Sequence, residues 1–247
     1  MIAKLRKVVD LRFFFGFWIV ELLLLTALKI VEIMDPETLI RIYIMFTAIL
    51  LNAVFMLCAV LRLKKQGRDI ALMGIPLAVF TTLLADLFLV LLKELGGAKI
   101  VTFITYEAAM MIGFFIFGLV QVVYAAYLKP NKWRILIRVG FYIAFIVAIY
   151  AAGLLTLDRF IACLSMSQLI LNLVYVWIDH GRARTTASLV LAIGITLFFA
   201  CDLFIMVRML LNPASALYPI IVFMVWMFYI PSQALLSTAY LVDRAEA

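Results

Sequence analysis

Eight apolar runs, each of about 20 residues or more, take up most of this 247-residue chain, and each is long enough to cross the roughly 30 Å of hydrocarbon in a bilayer as a helix. They extend from about Phe13 to Met34, Thr38 to Leu61, Ile70 to Leu92, Ile100 to Leu128, Ile135 to Leu157, Phe160 to Ile178, Thr185 to Leu211 and Leu217 to Val242. A chain with 68% hydrophobic residues, a mean hydropathy of +1.20 and only 14% charged residues is no soluble domain. The expected fold is all-α: a polytopic membrane protein with eight transmembrane helices in a single integral membrane domain.

The connections between runs orient them. Lys and Arg gather at the N-terminus and after runs two, four and six (Arg62 to Asp69, Lys129 to Arg134, Asp179 to Arg184), while the alternate connections hold fewer and mix them with acids. Both termini are therefore expected in the cytoplasm, with the chain in the cell membrane. The net charge of +7 follows from this topology; its scatter through short loops argues against a nucleic-acid partner. The first run contains Glu21, Lys29 and Glu32 and lacks a small-residue cleavage site, so it reads as an uncleaved helix rather than a signal peptide. Glu21 and Lys29 stand two turns apart and should share a face turned into the bundle. Pro76 is expected to kink the third run, and His180 to lie in a solvated loop. Cys58, Cys163 and Cys201 lie inside apolar runs without metal-ligand spacing, so neither a metal nor another cofactor is expected.

Two matching stretches place a lone carboxylate inside an apolar run: Leu83-Leu84-Ala85-Asp86-Leu87-Phe88 and Phe199-Ala200-Cys201-Asp202-Leu203-Phe204. Each costs roughly 2.5–3.5 kcal/mol on insertion, so such residues are retained either for a site or for a hydrogen bond to a neighbouring helix. Around them an internal repeat is visible. Gly16-Phe17 corresponds to Gly140-Phe141, Leu51-Asn52 to Leu171-Asn172, Asp86-Leu87-Phe88 to Asp202-Leu203-Phe204, and Gln121 to Gln233, in the same order in both halves. Four spans per copy keep both copies in one orientation, giving two parallel four-helix repeats, about 13–128 and 135–242. Counted at about 1.5 Å per residue from the start of runs three and seven, Asp86 and Asp202 both fall about 24 Å into the membrane, where they could share one site. Glu107 should lie near that level. For Asn52, Asn172, Gln121 and Gln233 the favoured role is interhelical hydrogen bonding.

The Asp-bearing third and seventh spans, Phe117-x-x-x-Gln121-x-x-Tyr124 in the fourth and Tyr229-x-x-x-Gln233 in the eighth together resemble the lysoplasmalogenase, or YhhN-like, family of eight-span membrane proteins. The likeness covers most of the chain. The family usually carries Gly-Asp, Ala-His and Ser-Asp where this chain has Ala85-Asp86, Val120-Gln121 and Cys201-Asp202, which marks a divergent member. The resemblance implies hydrolysis of the vinyl ether bond of a lysoplasmalogen, a membrane lysophospholipid, to a fatty aldehyde and a glycerophospho-headgroup.

That chemistry needs one neutral acid to protonate the vinyl carbon and one carboxylate to stabilise the oxocarbenium ion and orient water. Asp86 and Asp202, if adjacent, would meet this by sharing a proton. Glu107, Gln121, Tyr229 and Gln233 are the candidate substrate-binding groups. Arg208 could meet a lipid phosphate or simply snorkel to the headgroups. A transporter, a ligand-sensing protein or a structural relative of the same fold without hydrolase activity are the alternatives; with no lysine in the last two runs, a retinal Schiff base in the usual place is excluded.

Overall fold

The chain is described from a computed structural model over residues 11–34, 40–65, 67, 74–128, 131–153, 155–212 and 214–246. Each apolar run becomes one helix, because a helix satisfies its backbone N–H and C=O groups within the segment, where hydrocarbon offers no partner. The helices are α1 (Leu11–Met34), α2 (Ile40–Lys65), α3 (Ile75–Gly97), α4 (Tyr106–Tyr127), α5 (Lys132–Ala151), α6 (Leu157–Ala183), α7 (Thr186–Leu210) and α8 (Tyr218–Glu246). Helices α2 to α8 each contain a stretch long and apolar enough to cross a membrane, and α1 matches them in length with 24 residues. Among the described residues no strand forms. The fold is all-helical and fits a multi-span membrane protein.

Helix ends depart from the sequence reading in three places. Helix α3 opens five residues later than expected, after Gly74, whose φ of 122° only glycine adopts readily. Pro76 therefore sits in the first turn, where its missing N–H costs nothing, and starts the helix instead of kinking it. At its other end α3 runs on through the expected turn to Gly97, and α4 begins at Tyr106, capped by the Thr105 side chain. Helix α6 continues through Asp179, His180 and Arg182 to Ala183. The expected solvated loop shrinks to Arg184 and Thr185, the latter forming a reciprocal capping box with Ser188. His180 is accordingly half-buried, its Nδ1 2.9 Å from Ser188 Oγ and its ring edge-on to Trp177.

The backbone divides into two compact units, Met1–Ile70 with Val176–Ala247, and Ala71–Tyr175. In the first, α8 packs against α1, α2 and, most extensively, α7. Its core includes Phe55, Met56, Leu63, Phe198 and Tyr240. In the second, α3 packs along α4, and the two approach closely at Gly113. A Cβ there would lie 2.4 Å from Leu89 Cγ and 3.3 Å from the Ala85 carbonyl oxygen. Gly140 on α5 is the opposite case, with nothing within 4 Å of its would-be Cβ.

These two glycines form a matched pair. Gly113→Val should cost about 1–3 kcal/mol by overpacking, whereas Gly140→Val, carrying the same change in helix propensity, should cost well under that. Thermal unfolding of the purified variants checks the difference; equal losses would mean that α3 and α4 are not in contact at Gly113.

Candidate functional site

Both intramembrane aspartates are buried, Asp86 at 6% exposure and Asp202 at 8%. Asp86 belongs to the unit Ala71–Tyr175 and Asp202 to the other. Asp86 stands eleven residues beyond Ile75, about 16 Å along α3, and Asp202 sixteen beyond Thr186, about 24 Å along α7. The equal depths expected from the runs depended on a third helix starting at Ile70; the Gly74-Ile75 start shortens the count for Asp86 by five residues.

The surroundings of each aspartate are specific. Asp86 is the last α-helical residue before a π-helical turn, Leu87–Leu92. Such turns carry i→i+5 hydrogen bonds, widen the helix and occur disproportionately at functional sites. The turn is bordered by the Gly113 approach, since Leu89 and the Ala85 carbonyl flank it on α3. One turn before Asp86, the buried Thr82 returns its hydroxyl to the Ala78 carbonyl at 2.8 Å. Asp202 lies beside buried Cys201 in a regular stretch of α7. There α7 and α8 run antiparallel in contact: Gly194 faces Leu236, Phe198 meets the Tyr229 ring at 6.1 Å, and Phe204 stacks on Phe228 at 5.4 Å. Tyr229, edge-on to Trp226, thus shares the stretch of the α7–α8 seam that carries Asp202.

The amides divide. Asn172 Nδ2 donates to the Gln121 carbonyl oxygen at 3.0 Å and to Gln121 Oε1 at 3.2 Å, tying α6 to α4 as an interhelical bond. Asn52 turns back to the Ala48 carbonyl of its own helix at 3.4 Å. Neither amide atom of buried Gln233 has a partner among the described residues. Residues related in sequence therefore make different bonds, because each depends on what the neighbouring helix presents.

Two further candidates sit near helix ends. Glu107 is exposed in the first turn of α4, where the helix N-terminus favours an anion, and Arg208 is half-buried in the last turn of α7, where a cation is favoured. An apolar groove of about 400 Å³ opens between α1 and α2, lined by Phe17, Val20, Leu51, Val54, Phe55 and Cys58 among others, and holds none of the candidate residues.

Two buried charges were absent from the candidate set. Glu21 is 2% exposed, and neither carboxyl oxygen has a partner among the described residues. Its inward face was legible from the spacing with Lys29, whose Nζ lies 5.6 Å from the Phe223 ring centre. Arg138 is 6% exposed on α5, and its one sequence signal is its place as a basic residue inside the fifth run.

The contrast between amides has a measurable consequence. Asn172→Leu should lose about 0.6–2 kcal/mol through the broken bond to Gln121. Gln233→Leu should be neutral or stabilising, since it removes buried polar atoms that are not bonded. Thermal unfolding in one detergent compares the two, and an equal loss in both would contradict the bonding pattern.

Among known proteins, no family model, curated protein or solved structure matches the chain, so any functional assignment has to come from its own residues.

Proposed function

We propose that the chain is an intramembrane hydrolase of the lysoplasmalogenase (YhhN-like) kind, cleaving the vinyl ether bond of a lysoplasmalogen with Asp86 and Asp202 as its acid pair. The observation that carries this reading is the burial of both carboxylates, at 6% and 8% exposure, within long apolar helices. Retaining two such groups against their insertion cost favours chemistry at them. The π-helical turn that follows Asp86 adds support.

The reaction balances without a cofactor. A protonated aspartate donates its proton to the β-carbon of the vinyl ether, and the resulting oxocarbenium ion is stabilised by the ionised aspartate. Water adds to the α-carbon and gives up a proton, which restores the pair. The hemiacetal then collapses to the aldehyde and the glycerophospho-alcohol. Tyr229, with Gln121 and Gln233, would orient the lipid; Glu107 and Arg208, at helix ends, would meet only its polar headgroup.

The finer architecture belongs to the same proposal: two parallel four-helix repeats, with both termini on the cytoplasmic side of the cell membrane. One observation supports the repeats. Gln121 and Gln233 each stand fifteen residues beyond the first residue of their helix, Tyr106 and Tyr218. Reporter fusions should read both ends as cytoplasmic; an external reading at either would overturn that orientation.

Purified protein given a lysoplasmalogen should release fatty aldehyde, detectable by mass spectrometry. Asp86→Asn and Asp202→Asn should each lower turnover by about 10²–10⁴-fold, because an amide cannot supply the proton. The double variant should be little worse than either single one, as expected of groups acting as a unit. Near-normal turnover in either Asn variant would rule out the acid pair.

A further inference from the structure

Helix α5 buries one residue among those described, and that residue is an arginine. Its side chains Ile135, Leu136, Ile137, Val139, Ile143 and Val147 are exposed, while Phe141, Tyr142, Phe145, Ile146 and Ile149 are half-buried. Among its described residues no apolar side chain is buried as fully as this cation. What Arg138 meets inside is polar but uncharged: Nη1 donates to Gln168 Oε1 at 3.1 Å, and the guanidinium lies 5.0 Å from the Tyr175 ring centre. Arg134, one turn earlier, lies 4.6 Å from the same centre, which places a second positive charge against the ring. Among the described residues Arg138 Nε has no partner and no carboxylate pairs with this guanidinium. Removing a charge from water without an opposite charge nearby is costly, so the site calls for an anion.

The anion would find further groups along α6. Ser165, Gln168, Asn172 and Tyr175 follow at three- and four-residue spacing, so they share one helix face, and all are buried. Arg138 joins this stripe at Gln168, and Gln121 of α4 joins it at Asn172. Among the described residues four buried polar atoms along it have no partner: Ser165 Oγ, Arg138 Nε, Gln121 Nε2 and Asn172 Oδ1. Three of these can donate and one carries a full positive charge, which is the complement of a phosphate and not of a cation.

We propose that this stripe holds the phosphate of an anionic membrane phospholipid, with Arg138 as its charge partner. Arg138 stands six residues beyond Lys132, about 9 Å into the span, a depth that lipid phosphates reach where the bilayer thins around an arginine. The exposed Lys132 and the nearby Arg134 favour a net negative headgroup over a zwitterionic one. This inference uses neither residue of the acid pair and shares only Gln121 with the hydrolase reading; its charge partner, Arg138, has no part in that reading.

The test uses the full chain, purified and reconstituted with phosphatidylglycerol or phosphatidylcholine. Wild type should retain phosphatidylglycerol about tenfold over phosphatidylcholine through detergent exchange, a ratio within reach of one charge-assisted hydrogen bond, and should unfold at a higher temperature with it. Arg138→Gln should bring the ratio near one. Should that variant fail to fold, Gln168→Glu carries the test: it supplies a carboxylate to Arg138 from α6 and should fold equally well in either lipid, with the preference gone. Equal retention of both lipids by wild type, a preserved preference in Gln168→Glu, or the same stabilisation by inorganic phosphate alone would each overturn the lipid site.

Discussion

In hydrocarbon a polar group finds its partner within the protein or finds none, and the whole structure follows from how this chain meets that limit. Backbone groups are satisfied by the helices themselves. Six threonine hydroxyls are satisfied almost as locally: Thr26, Thr47, Thr81, Thr82, Thr196 and Thr238 each donate to the carbonyl four residues earlier, at 2.7–2.8 Å. These residues can occupy any face of a span at little cost. Amides and charges are different, because one carbonyl on their own helix cannot satisfy them, so they must meet a neighbouring helix, a ligand or water.

The packing between helices answers the same limit. Lipid tails are as apolar as leucine, so helices gain little from hiding apolar surface from one another and associate where small residues permit close contact. Gly113 lets α4 approach Ala85 and Leu89 of α3, and Gly194 lets α7 approach Leu236 of α8. The first of these approaches borders the π-helical turn that follows Asp86, and the second lies two turns, about 12 Å, before Asp202 along α7. Close backbone contact near a buried carboxyl leaves little freedom for nearby side chains, which suits a position that must be held.

The amides and charges that remain open are where function is to be sought. The Asn172–Gln121 bond satisfies one atom of each amide and leaves Gln121 Nε2 and Asn172 Oδ1 open. Among the described residues the Glu21 carboxyl, the Gln233 amide and Arg138 Nε lack partners as well, on α1, α8 and α5. Buried groups without partners are few in folded proteins and usually mark a site that water or a ligand completes.

Much of the fold was legible from the sequence. The number of helices follows from run lengths, since the bilayer sets one span at about 20 residues whatever their order. The burial of Asp86, Asp202 and Glu21 was legible too, because a charge in a span has only the protein interior to face. The bond between Asn172 and Gln121 was expected in kind. What the tertiary structure alone decided is which partner each group meets. Gly74 and the capping Thr185 moved helix ends that hydropathy cannot locate, since apolarity is a sum over a window and a cap is a matter of single residues. The π-helical turn after Asp86, the contrast between the unbonded amide of Gln233 and the bonded one of Gln121, and the inward turn of Arg138 depend on how neighbouring helices are rotated. That rotation is set by contacts between residues far apart in the chain, which no local pattern of residues records.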